Sequence, residues 1–151
     1  MQRRRATWAT SPSAPQPDHS LSADDELAVR NLVARVAQYA DGPDVDAYVA
    51  LFTSDAVWDM PGAPRRGQDE IRAGAEERRT AGTIGPGSNT RHVVSTIAVT
   101  VDGDSATADS VWQFYADTAT APRLQLMGTY RDECRRVGSR WKLARRTITF
   151  G

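Results

Sequence analysis

The stretch "RHVVSTIAVTV", residues 91–101, decides the fold, because the spacing of the apolar residues changes from helical to a period of two from about residue 90 onward. A period of two is typical of a strand with one buried face. The same alternation predicts strands near 90–101, 104–117, 121–136 and 139–150. The turn sequences "DGDS", "DTATAP" and "VGSR" separate them. Long consecutive strands with short turns predict an antiparallel meander.

Upstream of this stretch the apolar residues follow helical spacing. They predict a first helix over 23–40, carried by Leu27, Leu32, Val33, Val36 and Ala40. Ser22 is predicted to cap its start, and "DGPD" at 41–44 to end it.

Two shorter helices are predicted after that break. Asp44 is expected to cap a helix over 44–53, and a polar helix over 68–81 is expected on the surface. A short extended segment at 56–60 lies between them. Three helices followed by a meander predict an α+β domain, with the helices packed on one face of a curved sheet.

The first 21 residues have a different composition from the rest of the chain. "MQRRRATWATSPSAPQPDHS" is rich in Pro, Ser, Ala and Gln, and has no apolar segment after its arginines. Such a composition buries too little apolar surface to offset the entropy of ordering. We therefore predict a flexible tail over 1–21 and one domain over 22–151.

Charge and composition exclude several function classes. The 19 basic and 19 acidic residues cancel, so no global field favours nucleic acid or a membrane surface. Four arginine pairs are interpreted as solvent-exposed: Arg65-Arg66, Arg78-Arg79, Arg135-Arg136 and Arg145-Arg146.

Cysteine and histidine are scarce. The single cysteine, Cys134, excludes an internal disulfide and suits the reducing cytoplasm. Outside the first twenty residues the only histidine is His92, so no histidine/thiolate metal site is expected. No dinucleotide loop is present either, and we expect no cofactor.

Three motifs in order resemble signatures of the SnoaL-like family in the nuclear transport factor 2-like superfamily. They are "DGPDVDAYVALFTSDAVWD" at 41–59, "RHVVST" at 91–96 and "GTYRDECRRVGSRWKL" at 128–143. The resemblance covers about residues 22–151. It implies a cone-shaped barrel of curved antiparallel sheet and three helices around an apolar pocket, in a homodimer or homotrimer.

Asp41 and His92 are the candidate catalytic residues. Taken alone, Asp41 is a turn residue and His92 a core or surface histidine. An acid at a helix C-terminus is disfavoured by the macrodipole, so a compensating partner is expected, and a hydrogen-bonded imidazole would serve. The resemblance implies that the two residues touch in the pocket. The carboxylate would then fix the tautomer of His92, which would act as general base and then acid.

Four positions are candidates for substrate binding, three of them (Trp58, Thr96 and Arg136) through the resemblance. Trp58 matches a pocket aromatic, with a core aromatic as the alternative. Tyr39 would reach the pocket only if the helix end unwinds. Thr96 stands where the second signature often carries Asn, and Arg136 would hold an anionic group unless it is a surface arginine.

Two departures argue against the reactions of particular members. Scytalone dehydratase uses a second histidine that this chain lacks, and Val36 aligns with a lysine of a dehydrochlorinase. The resemblance and the Asp41–His92 pair together imply a cofactor-independent lyase or isomerase, dehydratase-like or cyclase-like, acting on a small, largely apolar molecule. The alternatives are a non-catalytic small-ligand-binding or interaction module, and a structural small subunit of a ring-hydroxylating dioxygenase.

Overall fold

The computed structural model describes the backbone of residues 19–151 and the side chains of residues 22–151. Its elements in chain order are α1 (His19–Asp41), α2 (Val45–Val49), β1 (Phe52–Asp59), β2 (Arg65–Arg66), α3 (Gly67–Thr80), β3 (Arg91–Asp102), β4 (Ser105–Ala116), β5 (Arg123–Val137) and β6 (Arg140–Phe150). Residues 1–18 of the predicted tail lie outside the described residues, and residues 19–21 belong to α1.

The predicted meander is confirmed, since β3, β4, β5 and β6 pair antiparallel in sequence. The strand order of the whole sheet is β2-β1-β6-β5-β4-β3. The prediction of a purely antiparallel sheet is wrong in one detail, because β1 pairs parallel with β6. The pattern of a short strand shows which face is buried but not which strand it will pair with. The sheet is therefore mixed, and it curves without closing into a barrel.

The helices also match the prediction with local differences. The Asp44 side chain accepts a hydrogen bond from the Ala47 N–H at 2.9 Å, which confirms the cap of α2. That helix is shorter than predicted because Phe52 already belongs to β1, where it pairs with Leu143. The predicted cap at Ser22 is wrong, because that residue lies inside α1.

The core lies between α1 and the concave face of the sheet. Val29, Leu32, Val33 and Val36 form the buried stripe of α1 and pack in one cluster with Phe52, Leu143 and Cys134. The predicted burial is confirmed for Leu32, Val33 and Val36, whereas Leu27, predicted on the same stripe, is exposed. No helix among the described residues is long and apolar enough to cross a membrane.

A β-bulge divides β3 into two halves with opposite alternation. Thr96 adopts φ 49°, and the pairing with β4 shifts by one residue between Ser95 and Ala98. Before the bulge His92 and Val94 face inward, and after it the odd-numbered residues do. The Ile97 carbonyl accepts a hydrogen bond from Arg30 of α1 at 2.6 Å. A bulge thus re-aims the side chains of a strand.

Candidate active site

An apolar cavity of about 130 Å³ lies between the end of α1, α3 and the sheet. Its walls are largely aromatic and include Tyr48, Trp58, Trp112, Phe114, Tyr130 and Phe150. Leu126 and Phe150 also line it and are each nearly half exposed, so the cavity reaches the surface beside them. Its polar lining includes three side chains that can carry positive charge, His92, Arg78 and Arg146.

Asp41 and His92 are in direct contact at this cavity. Oδ1 of Asp41 lies 2.7 Å from Nδ1 of His92, and Oδ2 accepts the backbone N–H of His92 at 2.8 Å. Both side chains are mostly buried, with exposed fractions of 7% and 15%. An ionised carboxylate can only accept a hydrogen bond, so Nδ1 is the donor in this contact, and in the neutral imidazole Nε2 is then the acceptor. Within residues 22–151 no hydrogen bond is made to Nε2, and His92 lines the cavity.

Arg79 holds the end of α1 that presents Asp41. Its Nη2 donates to the carbonyl oxygens of Tyr39, Ala40 and Gly42 at 3.0, 3.1 and 2.9 Å. These carbonyls form the negative end of the helix dipole, where a cation is stabilising. The guanidinium thus supplies part of the compensation that an acid at this position requires.

A buried ion pair forms the floor of the cavity. Nε and Nη2 of Arg146 donate to the two carboxylate oxygens of Asp132, each at 2.7 Å. Burial alone would lower the pKa of Arg146, but the charge and hydrogen bonds of Asp132 outweigh it and raise this pKa. The guanidinium also lies 3.8 Å from the centroid of the Tyr130 ring. Burial raises the pKa of Tyr130 to about 12, so its phenol stays neutral.

Of the four predicted binding residues only Trp58 lines the cavity. Its ring lies 5.0 Å below the Arg78 guanidinium. Its predicted contact with substrate stays a prediction.

The other three predicted positions lie outside the cavity. Tyr39 turns away because α1 stays helical to Asp41, and its hydroxyl accepts from Arg35. Thr96 is exposed because the bulge reverses the alternation that would have carried it inward from His92. Arg136 pairs with Asp25 at 2.6 Å and Asp104 at 3.0 Å, far along the sheet from the His92 end of β3.

Three arginines at the site were not among the residues predicted from the sequence. Arg78, Arg79 and Arg146 belong to pairs that were interpreted as solvent-exposed, and that interpretation is wrong for them. The inward position of Arg78 could have been predicted from the sequence, because Arg78 follows Ile71 and Ala75 at helical spacing on one face of α3. The inward position of Arg146 could not have been predicted in this way, because a second bulge near Ala144 brings its side chain to the inner face of the sheet.

Nothing among the described residues groups three His, Cys, Asp or Glu side chains as a metal site would require. The chemistry of the cavity is that of an imidazole held by a carboxylate, two guanidinium groups and neutral phenols. Such a set can move a proton and stabilise negative charge on oxygen.

Several solved structures share this fold. A nuclear transport factor 2-like protein with a cystatin-like fold from Novosphingobium aromaticivorans is 23% identical, with a TM-score of 0.77 and coverage of 87% of this chain and 86% of that one. A proposed scytalone dehydratase from the same organism is 22% identical, with a TM-score of 0.72 and 88% coverage of both chains. ActVI-ORFA from Streptomyces coelicolor is 24% identical, with a TM-score of 0.70 and coverage of 82% and 95%.

Similarity at this level of identity shows a shared fold. No curated protein matches the chain. The model of the SnoaL-like domain matches residues 22–147, which include α2, α3 and most of the sheet. These residues contain both members of the Asp41–His92 pair, strands β1 to β5 and most of β6, and the chain therefore belongs to the SnoaL-like domain family.

Proposed function

We propose that this protein is a cofactor-independent lyase or isomerase that acts on a small, largely apolar molecule. The observation that carries the proposal is the contact between Asp41 and His92. The carboxylate engages Nδ1 and leaves Nε2 without a hydrogen bond in the described part of the chain, at the wall of an apolar cavity. An oriented imidazole in a water-poor site is suited to remove a proton from carbon.

The proposed reaction begins with transfer of a C–H proton to Nε2 of His92. Asp41 stabilises the imidazolium that forms and keeps the ring in place through its second bond to the strand backbone. The electron pair of the broken C–H bond forms a new C=C bond, and two outcomes follow. In the first outcome the C–O bond breaks, and the departing hydroxyl takes the proton from Nε2 and leaves as water. In the second outcome an existing double bond shifts, and Nε2 returns the proton to another carbon. The first outcome is an elimination and the second an isomerisation.

Two further observations support this proposal. The cavity walls are largely aromatic, so they can hold a ring and exclude water from the base. The likeness to a proposed scytalone dehydratase, although a likeness of fold, is consistent with dehydratase-type chemistry. The chain's lack of a second histidine outside the first twenty residues argues against that exact reaction.

Proton exchange in D₂O tests the proposal across many compounds at once, with no single substrate assumed. The protein is incubated with a panel of small cyclic hydroxy-ketones and aromatic ketones, and NMR follows loss of C–H signals and appearance of products. We expect exchange or elimination for at least one compound. The His92→Gln and Asp41→Asn variants should lose about a hundredfold or more of that rate.

Asp109→Asn is the matched control, because it makes the same carboxylate-to-amide change at an exposed pair with Arg131. It should keep the full rate. Binding of panel members without exchange or turnover would overturn the enzymatic proposal and favour a small-ligand-binding module. An equal loss of rate in all three variants would show that the effect is not specific to the pair.

A further inference from the structure

Arg78 differs from the other charged groups at the cavity because it has no carboxylate partner among the described side chains. His92 is held by Asp41, and Arg146 is held by Asp132. Within residues 22–151 no carboxylate oxygen lies within salt-bridge distance of Arg78, which nonetheless lines the cavity. Its guanidinium faces the Trp58 ring at 5.0 Å, a contact that orients the group without neutralising it.

The helix that carries Arg78 is built to admit its guanidinium. Arg78 follows Ile71, Gly74 and Ala75 on the buried stripe of α3, where an apolar side chain would be expected. A Cβ atom on Gly74 would lie 3.2 Å from Nη1 of Arg78 and 3.1 Å from Nε of Arg65. Glycine within a helix costs stability relative to alanine. Its presence here leaves the space that the guanidinium occupies.

The Arg78 side chain is partly buried. Burial lowers the pKa of Arg78, and no partner reverses this effect as Asp132 does for Arg146. A partly buried cation without a carboxylate partner in residues 22–151 is stabilised by an anion that binds beside it in the apolar cavity.

The dimensions of the cavity limit the ligand. A cavity of about 150 Å³ accommodates benzene, and this cavity measures about 130 Å³. One ring fits among the aromatic walls, with its substituents directed toward polar groups or the mouth beside Leu126 and Phe150.

We propose that the cavity selects a one-ring ligand carrying a carboxylate or phenolate-type oxyanion, and that Arg78 binds this oxyanion. This inference rests on the proposed use of the cavity as a substrate site. When His92 removes a proton next to a carbonyl, the C–H electron pair forms the enolate C=C bond and the carbonyl oxygen takes the negative charge. Nothing is oxidised or reduced in that step, and Arg78 provides the cation for the new oxyanion.

Two pairs of near-isosteric ligands test the inference by binding, followed by NMR titration of the full chain. Benzoate is compared with benzamide, and para-nitrophenolate with para-nitroanisole. In at least one pair, the wild type should bind the anion roughly tenfold or more tighter than its neutral counterpart. A roughly tenfold difference corresponds to the low end of the free energy of a hydrogen bond to a charged group. The pair that shows the preference identifies the oxyanion. Equal binding within both pairs would overturn the inference.

Arg78→Met removes the charge but keeps an unbranched stem over Trp58, and it should abolish the preference. Arg72→Met is the matched control, because Arg72 lies on the same helix and pairs with Asp46 at the surface, outside the cavity lining. It should retain the preference. A preference that survives Arg78→Met would overturn the inference.

The His92→Gln variant separates this inference from the enzymatic proposal. It should lose proton exchange while it retains the preference for the anion. A different result would be a wild type that prefers the anion yet catalyses no proton exchange with any compound of the panel. That result would support Arg78 as a binding residue and would contradict only the catalytic proposal.

Discussion

Replacing Asp132 by leucine is expected to destabilise the protein strongly, although the new side chain is apolar and of similar size. Asp132 is fully buried, and the Arg146 side chain has an exposed fraction of 4%. The substitution removes both 2.7 Å hydrogen bonds and leaves a guanidinium charge inside the domain. Loss of one partner from such a pair costs about 3–5 kcal/mol.

This cost is a large share of the roughly 5–15 kcal/mol that stabilises a typical domain. With a urea dependence of about 2 kcal/mol per molar, the unfolding midpoint should fall by roughly 2 M. Arg146→Met should produce a loss of similar size. The double variant Asp132→Leu/Arg146→Met leaves no buried charge and should recover most of the lost stability.

Urea unfolding of the four proteins, followed by tryptophan fluorescence, measures the double-mutant cycle. We expect a coupling free energy of about 2 kcal/mol or more. Two results would refute the conclusion that these buried charges stabilise each other. One is a loss of unfolding free energy below about 1 kcal/mol in Asp132→Leu, and the other is a loss in the double variant equal to the sum of the two single losses.

Three further predictions follow from other contacts. Gly74→Ala should weaken binding of the preferred anion while leaving the urea midpoint unchanged or raised, because its methyl group crowds the Arg78 guanidinium but favours the helix. A parallel loss of stability would contradict this. Hydrogen bonds from Arg136 and Trp141 lower the pKa of Asp25 below its ordinary value of 3.8. The stability that Asp25 contributes is therefore fully present above about pH 4 and is lost as pH falls through the lowered pKa. Wild type should exceed Asp25→Asn in thermal stability at neutral pH, and a gap that persists unchanged in strong acid would refute this origin. Burial raises the pKa of the Cys134 thiol to about 12. A thiol reagent should therefore label it at pH 8 only in urea, and rapid labelling of the folded chain would contradict its position in the core.

The sequence predicted the elements whose burial is periodic. The stripe of α1 and the alternation of β4 each contain enough repeats to show which face is buried. The contact between Asp41 and His92 was predicted through the resemblance and through the cost of an acid at a helix end. Local pattern alone does not bring together residues 51 positions apart.

The features that the sequence did not predict depend on strand pairing. The parallel pairing of β1 with β6 joins strands that are more than 80 residues apart in the chain, and the local pattern of β1 does not specify its partner. The inward position of Arg146 and the outward position of Thr96 each follow from an extra residue opposite a neighbouring strand. An arginine is also ambiguous, because its side chain can be solvated or can pair with a carboxylate that becomes its neighbour only on folding.

The bulge in β3 gives one strand two independent faces. Its first half presents His92 and Val94 to the cavity side, whereas its second half packs Ile97, Val99 and Val101 against the core beneath α1. Deleting Thr96 would restore simple alternation and force the chain to choose which half faces inward. If the core half kept its place, the imidazole would point away from Asp41. A single-residue deletion far from the reacting atoms could thus yield a well-folded protein without its base.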